Sequence, residues 1–345
     1  MALLFSSSVN TYSPSFSYEY SNRIQYDSAA MASVNPNTPD KVKTKILIIS
    51  DTHGLTFPTA LHPDEAVDVA IHCGDLTHHS TLAEFKNTLS LMESLNADLK
   101  LFIAGNHDFL LDHAAFQDKI AETKSLSRGV ILDTLFGRDF GARGEALNML
   151  RHTTAPNLFF LEEGNYKFRL KNGALLKVYA TPYTPGTDAG WGFQYHGDHD
   201  FSINGRPDVV ISHGPPLGIL DRDRDTPKRL GCPLLFEAVA KAQPKIHCFG
   251  HIHNSWGAKF VTWKPTISEW PSHFTDIEHS KSHTLATLAT EQNGVHASSH
   301  CAENDYPVGD GSTLFVNAAN TDDERLSQMA QIIDIELDMV RQDSR

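Results

Sequence analysis

Short apolar, β-branched runs recur along this chain, and five of them end in a cluster of polar residues. Ile46-Leu-Ile-Ile-Ser50 runs into Asp51-Thr-His53, Val67-Asp-Val-Ala-Ile-His72 into Gly74-Asp75, and Leu99-Lys-Leu-Phe-Ile103 into Gly105-Asn106-His107-Asp108. Val209-Val-Ile211 leads to Ser212-His213-Gly214, and Ile246-His-Cys-Phe249 leads to Gly250-His251-Ile-His253. Continuous apolar runs predict strands buried on both faces, as in parallel sheets. The carboxyl ends of such strands form the ligand-binding edge of an open α/β sheet. The five clusters are therefore expected on one rim.

Other segments follow different periods. Leu82, Phe85, Leu89, Met92 and Leu95 fall at spacings of three and four, which predicts a helix from Thr81 to about Leu95. Ser80 is the expected N-cap, and Glu84 suits the helix dipole. Joining strand 67–72 to strand 99–103, this helix completes a right-handed βαβ unit. Leu235, Phe236, Val239 and Ala240 predict a second helix within Cys232–Ala242. Lys171-Asn-Gly173, between Phe168-Arg-Leu and Leu175-Leu-Lys-Val-Tyr179, reads as a hairpin with a type I′ turn. Residues 109–165 alternate short helical patterns with polar loops, and the Gly- and aromatic-rich Pro182–Asp200 reads as a loop. Residues 1–43, rich in Ser, Asn, Tyr and Pro without periodicity, read as a disordered N-terminal tail, which leaves 44–345 as one domain. The polar stretch 264–311 reads as a mobile loop insertion. Its His273, His279, His283, His296, His300 and Cys301 match no zinc-finger spacing.

With 345 residues and 40% apolar content, the chain can bury a large core. Its formal net charge of −13 argues against a nucleic-acid polymer or an anionic membrane as partner. Four scattered cysteines without a CxxC pair make no disulfide framework and suit a reducing compartment. No apolar run is long enough for a transmembrane helix, and Met1-Ala-Leu-Leu-Phe5 lacks the basic region of a secretory signal. A cytoplasmic location is expected.

Asp, His and Asn gathered on one rim can build a metal site, although each cluster alone is a common turn motif. Taken together, in this order and at strand ends, they resemble the calcineurin-like metallophosphoesterases. That family's signature runs D-x-H, G-D, G-N-H-[DE], a lone His and G-H-x-H, and every part of it stands here unbroken. Trp191-Gly192-Phe193, Ser212-His-Gly-Pro-Pro-Leu-Gly218, Arg229-Leu-Gly-Cys232, Pro244-Lys-Ile-His247 and Phe315-Val-Asn-Ala318 extend the likeness. They resemble the branch of metallophosphoesterase-domain proteins and class III cyclic nucleotide phosphodiesterases. The resemblance covers residues 44–262 and 312–338.

The resemblance implies an α/β fold, the four-layer α/β/β/α sandwich of this family, around two divalent metal ions. Asp51, His53 and His253 would hold one ion, Asn106, His213 and His251 the other, and Asp75 both. Mixed N/O ligation without thiolate suits Mn, Fe or Zn. His107 would stand over the leaving-group oxygen as general acid, a task that an imidazole of ordinary pKa near 6.5 can perform. Asp108 is a candidate to orient His107, the other reading being a turn cap. Trp191, Trp256 and Asn106 are candidates for holding substrate, and Phe193 joins them as an aromatic face; packing against the sheet is the competing role. Arg222 and Arg224 read as a solvated loop.

For an acidic protein the metals would also supply the positive charge that a phosphoester needs. The implied reaction is hydrolysis of a small phosphoester by a metal-bound hydroxide, with cyclic nucleotides or similar diesters as the leading substrate class. A phosphomonoesterase is the second reading, and a non-catalytic scaffold the third. The scaffold is disfavoured because His107 and every expected ligand are present.

Overall fold

The computed structural model describes residues 40–126, 137–186, 190–223, 228–290, 293–322 and 325–340. Residues 1–39 of the expected tail, and Arg224, lie outside them. The expected tail boundary at 43 shifts, because β1 (Lys41–Ile49) begins earlier and pairs antiparallel with β15 (Ala330–Asp338) from Lys41↔Asp338 onward. The remaining strands of this sheet are β2 (Val67–His72), β3 (Ala97–Phe102), β4 (Leu158–Phe160) and β13 (Val295–Ser299). They assemble in the order β13-β15-β1-β2-β3-β4, with β1 to β4 mutually parallel.

A second sheet comprises β5 (Gly164–Arg169), β6 (Leu175–Thr181), β9 (Val209–Ser212), β10 (Ile246–Phe249), β11 (Gly257–Thr262), β12 (His283–Thr287) and β14 (Ser312–Asn317). Its order is β12-β11-β14-β10-β9-β6-β5, with β14, β10, β9 and β6 parallel. β7 (Thr184–Pro185) and β8 (Gln194–Tyr195) form a short separate ribbon.

Successive side chains of a strand face opposite ways, and this alternation builds the layers. Ile46, Ile48, Val69, Ile71 and Leu101 of the first sheet pack against Val178, Val209, Ile211, Cys248 and Val316 of the second. The intervening Leu47, Ile49, Ala70 and Phe102 turn outward to Phe85, Met92 and Leu95 around α1 (Leu82–Ser94) and to Ala146 and Leu150 of α3 (Glu145–Arg151). Val210, Phe249 and Phe315 meet Leu235, Phe236 and Val239 of α4 (Pro233–Ala242) on the far side. Another helix, α2 (His113–Leu126), follows the third ligand cluster. The result is the expected helix–sheet–sheet–helix order, a mixed α/β fold with two central sheets. No helix among the described residues is long and apolar enough to cross a membrane.

Three local expectations change. The cap of α1 is Thr81, not Ser80: Thr81 Oγ1 accepts from Glu84 N while Glu84 returns a carboxylate to Thr81 N, a capping box. Ser80 instead sits at φ 60° with its Oγ accepting from Leu110 N. In the 170–174 turn only Gly173 has positive φ, and Gly173 N donates to Leu170 O. This is a three-residue connection with glycine in the left-handed position rather than a type I′ turn.

The third change concerns 264–311, which is more than loop. It supplies β12 to the edge of one sheet and β13 to the edge of the other, and it buries His273, His300 and Cys301. Period-2 alternation is weak in both strands, because their outer edges face solvent.

Candidate metal centre

The carboxyl ends of β1, β2, β3, β9 and β10 do converge. Backbone bonds stitch the loops together: Asp51 N donates to Gly74 O (3.0 Å), His53 N to Asp75 O (3.1 Å) and Gly250 N to His213 O (2.9 Å). Among the described residues, four of the eight non-glycine residues with positive φ are expected ligands: Asp51, His53, Asp75 and His251, at 50–67°. Each such residue costs of order 1–2 kcal/mol, a strain that surrounding packing holds at functional sites. Glycine is required where loops meet carboxylates. A Cβ on Gly105 would lie 2.3 Å from Asp75 Oδ1, and one on Gly250 would lie 1.9 Å from Asp51 Oδ2.

The donor atoms fall into two groups. Asp51, His53 and His253 place ligand atoms within 4.8 Å of one another, as do Asp75, His213 and His251. Asn106 joins the second, its Oδ1 2.8 Å from His213 Nε2. Two imidazoles are held at Nδ1 by backbone carbonyls, His53 by Thr77 O (3.0 Å) and His213 by Cys73 O (3.0 Å), which leaves each Nε2 for a metal. Asp75 touches both flanks: its Oδ1 accepts from His107 N (2.8 Å) and lies 3.4 Å from His213 Nε2.

The charges of the site are mutually dependent. Burial works against ionised Asp51, yet the hydrogen bond to His253 and that ring's charge hold the carboxyl below its usual range. Burial likewise opposes the charge on Asp75, and His213 outweighs it, so Asp75 too stays low. Burial would lower His213, but the charge of Asp75 and its hydrogen bond raise it to about 9. Burial, reinforced by His213, pushes His251 down to about 4 and keeps it neutral. Two buried carboxylates thus draw positive charge into a pocket of imidazoles. A divalent cation would take the proton's place there, and this mixed N/O donor set fits two of them.

His107 stands beside the groups with its Nδ1 2.9 Å from His78 O, and its ring is 4.8 Å from His53 and 4.3 Å from Trp191. Asp108 does not orient it. The Asp108 carboxylate is buried and accepts from Gly105 N (2.7 Å), Leu76 N (3.0 Å), Thr77 N (3.0 Å) and Thr77 Oγ1 (2.6 Å). It clamps the Asp75 loop to the Asn106 loop, and through Thr77 it fixes the carbonyl that holds His53. Nor does it act as a turn cap: Asp108 precedes the short 3-10 helix Phe109–Leu111, yet its side chain accepts from none of that helix's N–H groups. Trp256 is also corrected: it is 1% exposed, its Nε1 donates to Met329 O (3.0 Å), and it packs the core rather than a substrate. Arg222 is exposed, and its carbonyl accepts from Ser255 Oγ.

Two further residues support the site. Asn320 Oδ1 accepts from Ser50 N (3.0 Å) and anchors the turn that carries Asp51. His78 brings a third ring to His53 and His107. The first partner lies 270 residues away and had no local signal. The second stood in the visible His78-His79 pair, with nothing to say which way it would face.

The family model described as calcineurin-like phosphoesterase matches residues 44–255, and so spans all these ligands. The chain belongs to that family. It is accordingly a metal-dependent phosphoester hydrolase. Metallophosphoesterase domain-containing protein 1 of Homo sapiens is 29% identical over 252 residues, 70% of this chain and 72% of that protein. A UPF0046 protein of Caenorhabditis elegans is 29% identical over 229 residues, covering 64% of this chain and 54% of its own. The probable rhamnogalacturonate lyase C of Emericella nidulans is 30% identical over 64% of this chain but only 18% of that protein, a likeness to one part of it. Within the calcineurin-like phosphoesterase fold, the two donor groups occupy the rim between the sheets.

Proposed function

We propose that this calcineurin-like phosphoesterase is a phosphodiesterase acting on cyclic nucleotides or similar small diesters. The observation that carries the reading is Trp191, whose ring lies 4.3 Å from that of His107. This sets a flat aromatic wall beside the group that would serve the leaving oxygen, where an ester arm bearing a base can stack.

In this reading Asp51, His53 and His253 would hold one ion, Asn106, His213 and His251 a second, and Asp75 would serve both. Bound there, two divalent cations supply Lewis acidity toward the phosphoryl oxygens and an acidified water. The chain's own residues do the rest. Asp75 Oδ1 accepts the backbone N–H of His107 (2.8 Å), so the general acid is positioned from the same carboxylate that would serve both ions. The His78 carbonyl accepts a hydrogen bond from His107 Nδ1–H, which leaves Nε2 for the rim, and the Nε2–H of the protonated ring would pass its proton to the departing alkoxide. The four free, buried cysteines fit a reducing, cytoplasmic setting.

The test is kcat/KM for bis-p-nitrophenyl phosphate against p-nitrophenyl phosphate on one metal-loaded preparation, with chelation as control. A preference for the diester, abolished by chelator, is expected. Preference for the monoester would make the protein a phosphatase of the same family.

A further inference from the structure

Along the rim from the metal groups, a half-enclosed cavity of about 110 Å³ opens over the ends of β3, β4 and β6. At ~30 Å³ for each liquid water, it has room for one flat ring system and little more. Ala104, Leu147 and Phe193 are among its apolar walls, and Glu162, Glu163 and Tyr183 are its polar ones, with Glu162 paired to Arg151. Its distance from the ligands is set by the sheet. The ligand loops leave β1 to β3 and β9 to β10, so the cavity stands one or two strands over, roughly 5–10 Å. The same loops bound both places. Gly192 N donates to Asn106 O (2.9 Å) and Phe193 N to Asp112 Oδ2 (2.9 Å), while Thr184 N donates to Phe193 O (2.9 Å) and its methyl lies 2.9 Å from where a Gly214 Cβ would stand.

The polar groups have a directional character. Glu163 Oε1 accepts three bonds, from Tyr179 Oη, Thr181 Oγ1 and His199 Nε2, each at 2.9 Å. That fixes the carboxylate and leaves Oε2 without a recorded partner among the described residues. Burial, then the charge of Glu163, holds the Tyr183 hydroxyl above its ordinary value, so it stays protonated beside that carboxylate. Tyr183 and Phe193 meet edge-to-face with centroids 5.9 Å apart. A pocket with apolar walls, an aromatic face and an open carboxylate oxygen selects a flat ring that donates a hydrogen bond.

We propose that this cavity is a nucleobase subsite, in which a purine lies against Tyr183 and Phe193 and donates its exocyclic amino group to Glu163 Oε2 while its phosphate sits at the metal groups. The proposal rests on the phosphodiesterase reading only in treating base and phosphate as parts of one substrate.

Equilibrium binding separates the two. On the metal-loaded chain, adenosine 5′-monophosphate should bind roughly tenfold or more tightly than ribose 5-phosphate, the scale of base stacking. Purine riboside 5′-monophosphate, lacking the amino group, should fall between them. Leu147→Trp, which fills the cavity, and Tyr183→Ala, which removes the face, should each bring adenosine 5′-monophosphate to within about twofold of ribose 5-phosphate, an equality set by the shared phosphate. Equal binding of the two ligands by the unaltered chain would overturn the subsite, as would variants that keep the full difference. Neither result depends on turnover, so a monoester preference in the hydrolysis assay would remove the diester reading and leave this one standing.

Discussion

Acid should unfold this protein partly through a histidine that touches no ligand. His247 lies fully buried on β10, between the rings of Phe249 (5.1 Å) and Phe315 (5.5 Å). Its Nε2 meets Ser212 Oγ at 2.8 Å, Ser212 Oγ reaches Gly214 O at 2.7 Å, and His247 Nδ1 has no hydrogen-bond partner among the described residues. Burial alone lowers it from 6.5 to about 3. The unfolded chain therefore binds a proton below pH 6.5 that the folded chain refuses, and stability falls as pH falls through that window toward 3. At pH 4.5 the loss from this one group is about 3 kcal/mol, two pH units at roughly 1.4 kcal/mol each. His247→Gln keeps a donor toward Ser212 and cannot titrate. Urea midpoints at pH 7.0 and 4.5, with chelator present in every sample, should show the acid-induced loss smaller by roughly 2–3 kcal/mol in the variant. An identical loss in both proteins would show that His247 takes up its proton in the folded state, and the argument from burial would fail.

Other substitutions probe the centre directly. Asp75→Ala should lose both metals and all turnover, whereas His251→Gly should keep one site filled; two metals per chain in the Asp75 variant, by elemental analysis, would refute the bridging assignment. His107→Ala should retain its metals and lose roughly 10²–10⁴-fold in turnover, most for poor leaving groups. Equal losses for activated and unactivated esters would argue against a general acid. Asp108→Ala strands three buried backbone N–H groups and should cost about 3–5 kcal/mol in denaturant stability, with a fall in metal content. Unchanged stability with turnover alone lost would restore an orienting role.

The parts of the fold legible in the sequence were those written in short-range pattern. β1, β2, β3, β9 and β10 announced themselves because strands covered on both faces are apolar throughout, and their polar ends then named the ligand loops. α1 showed its period, and only its cap slipped by one residue, since Ser80 and Thr81 offer the same hydroxyl and the capping-box partner Glu84 decides between them. β12 and β13 were read as loop because an edge strand with one wet face and few large apolar residues carries little signal. The direction of a side chain was least legible. Asp108 follows His107 in sequence, yet the turn points it into the protein, where four donors wait. Trp256 likewise lies three residues after a ligand and faces the core. Adjacency along the chain says little about adjacency in space once a loop turns.

The antiparallel pairing of β1 with β15 has a practical bearing. Lys41 sits opposite Asp338, while Ile49, eight residues on, reaches the ligand rim. The two strands thus enter and leave at the same pole, roughly 26 Å from the ligand rim at 3.3 Å per residue. Cargo joined to the chain directly before Lys41 or directly after Asp338, or a tag there that fixes the protein to a bead or an electrode, would hang from the base of the sandwich. The catalytic rim would then face away from the support, open to a freely diffusing substrate, whichever of the two strands carried the attachment.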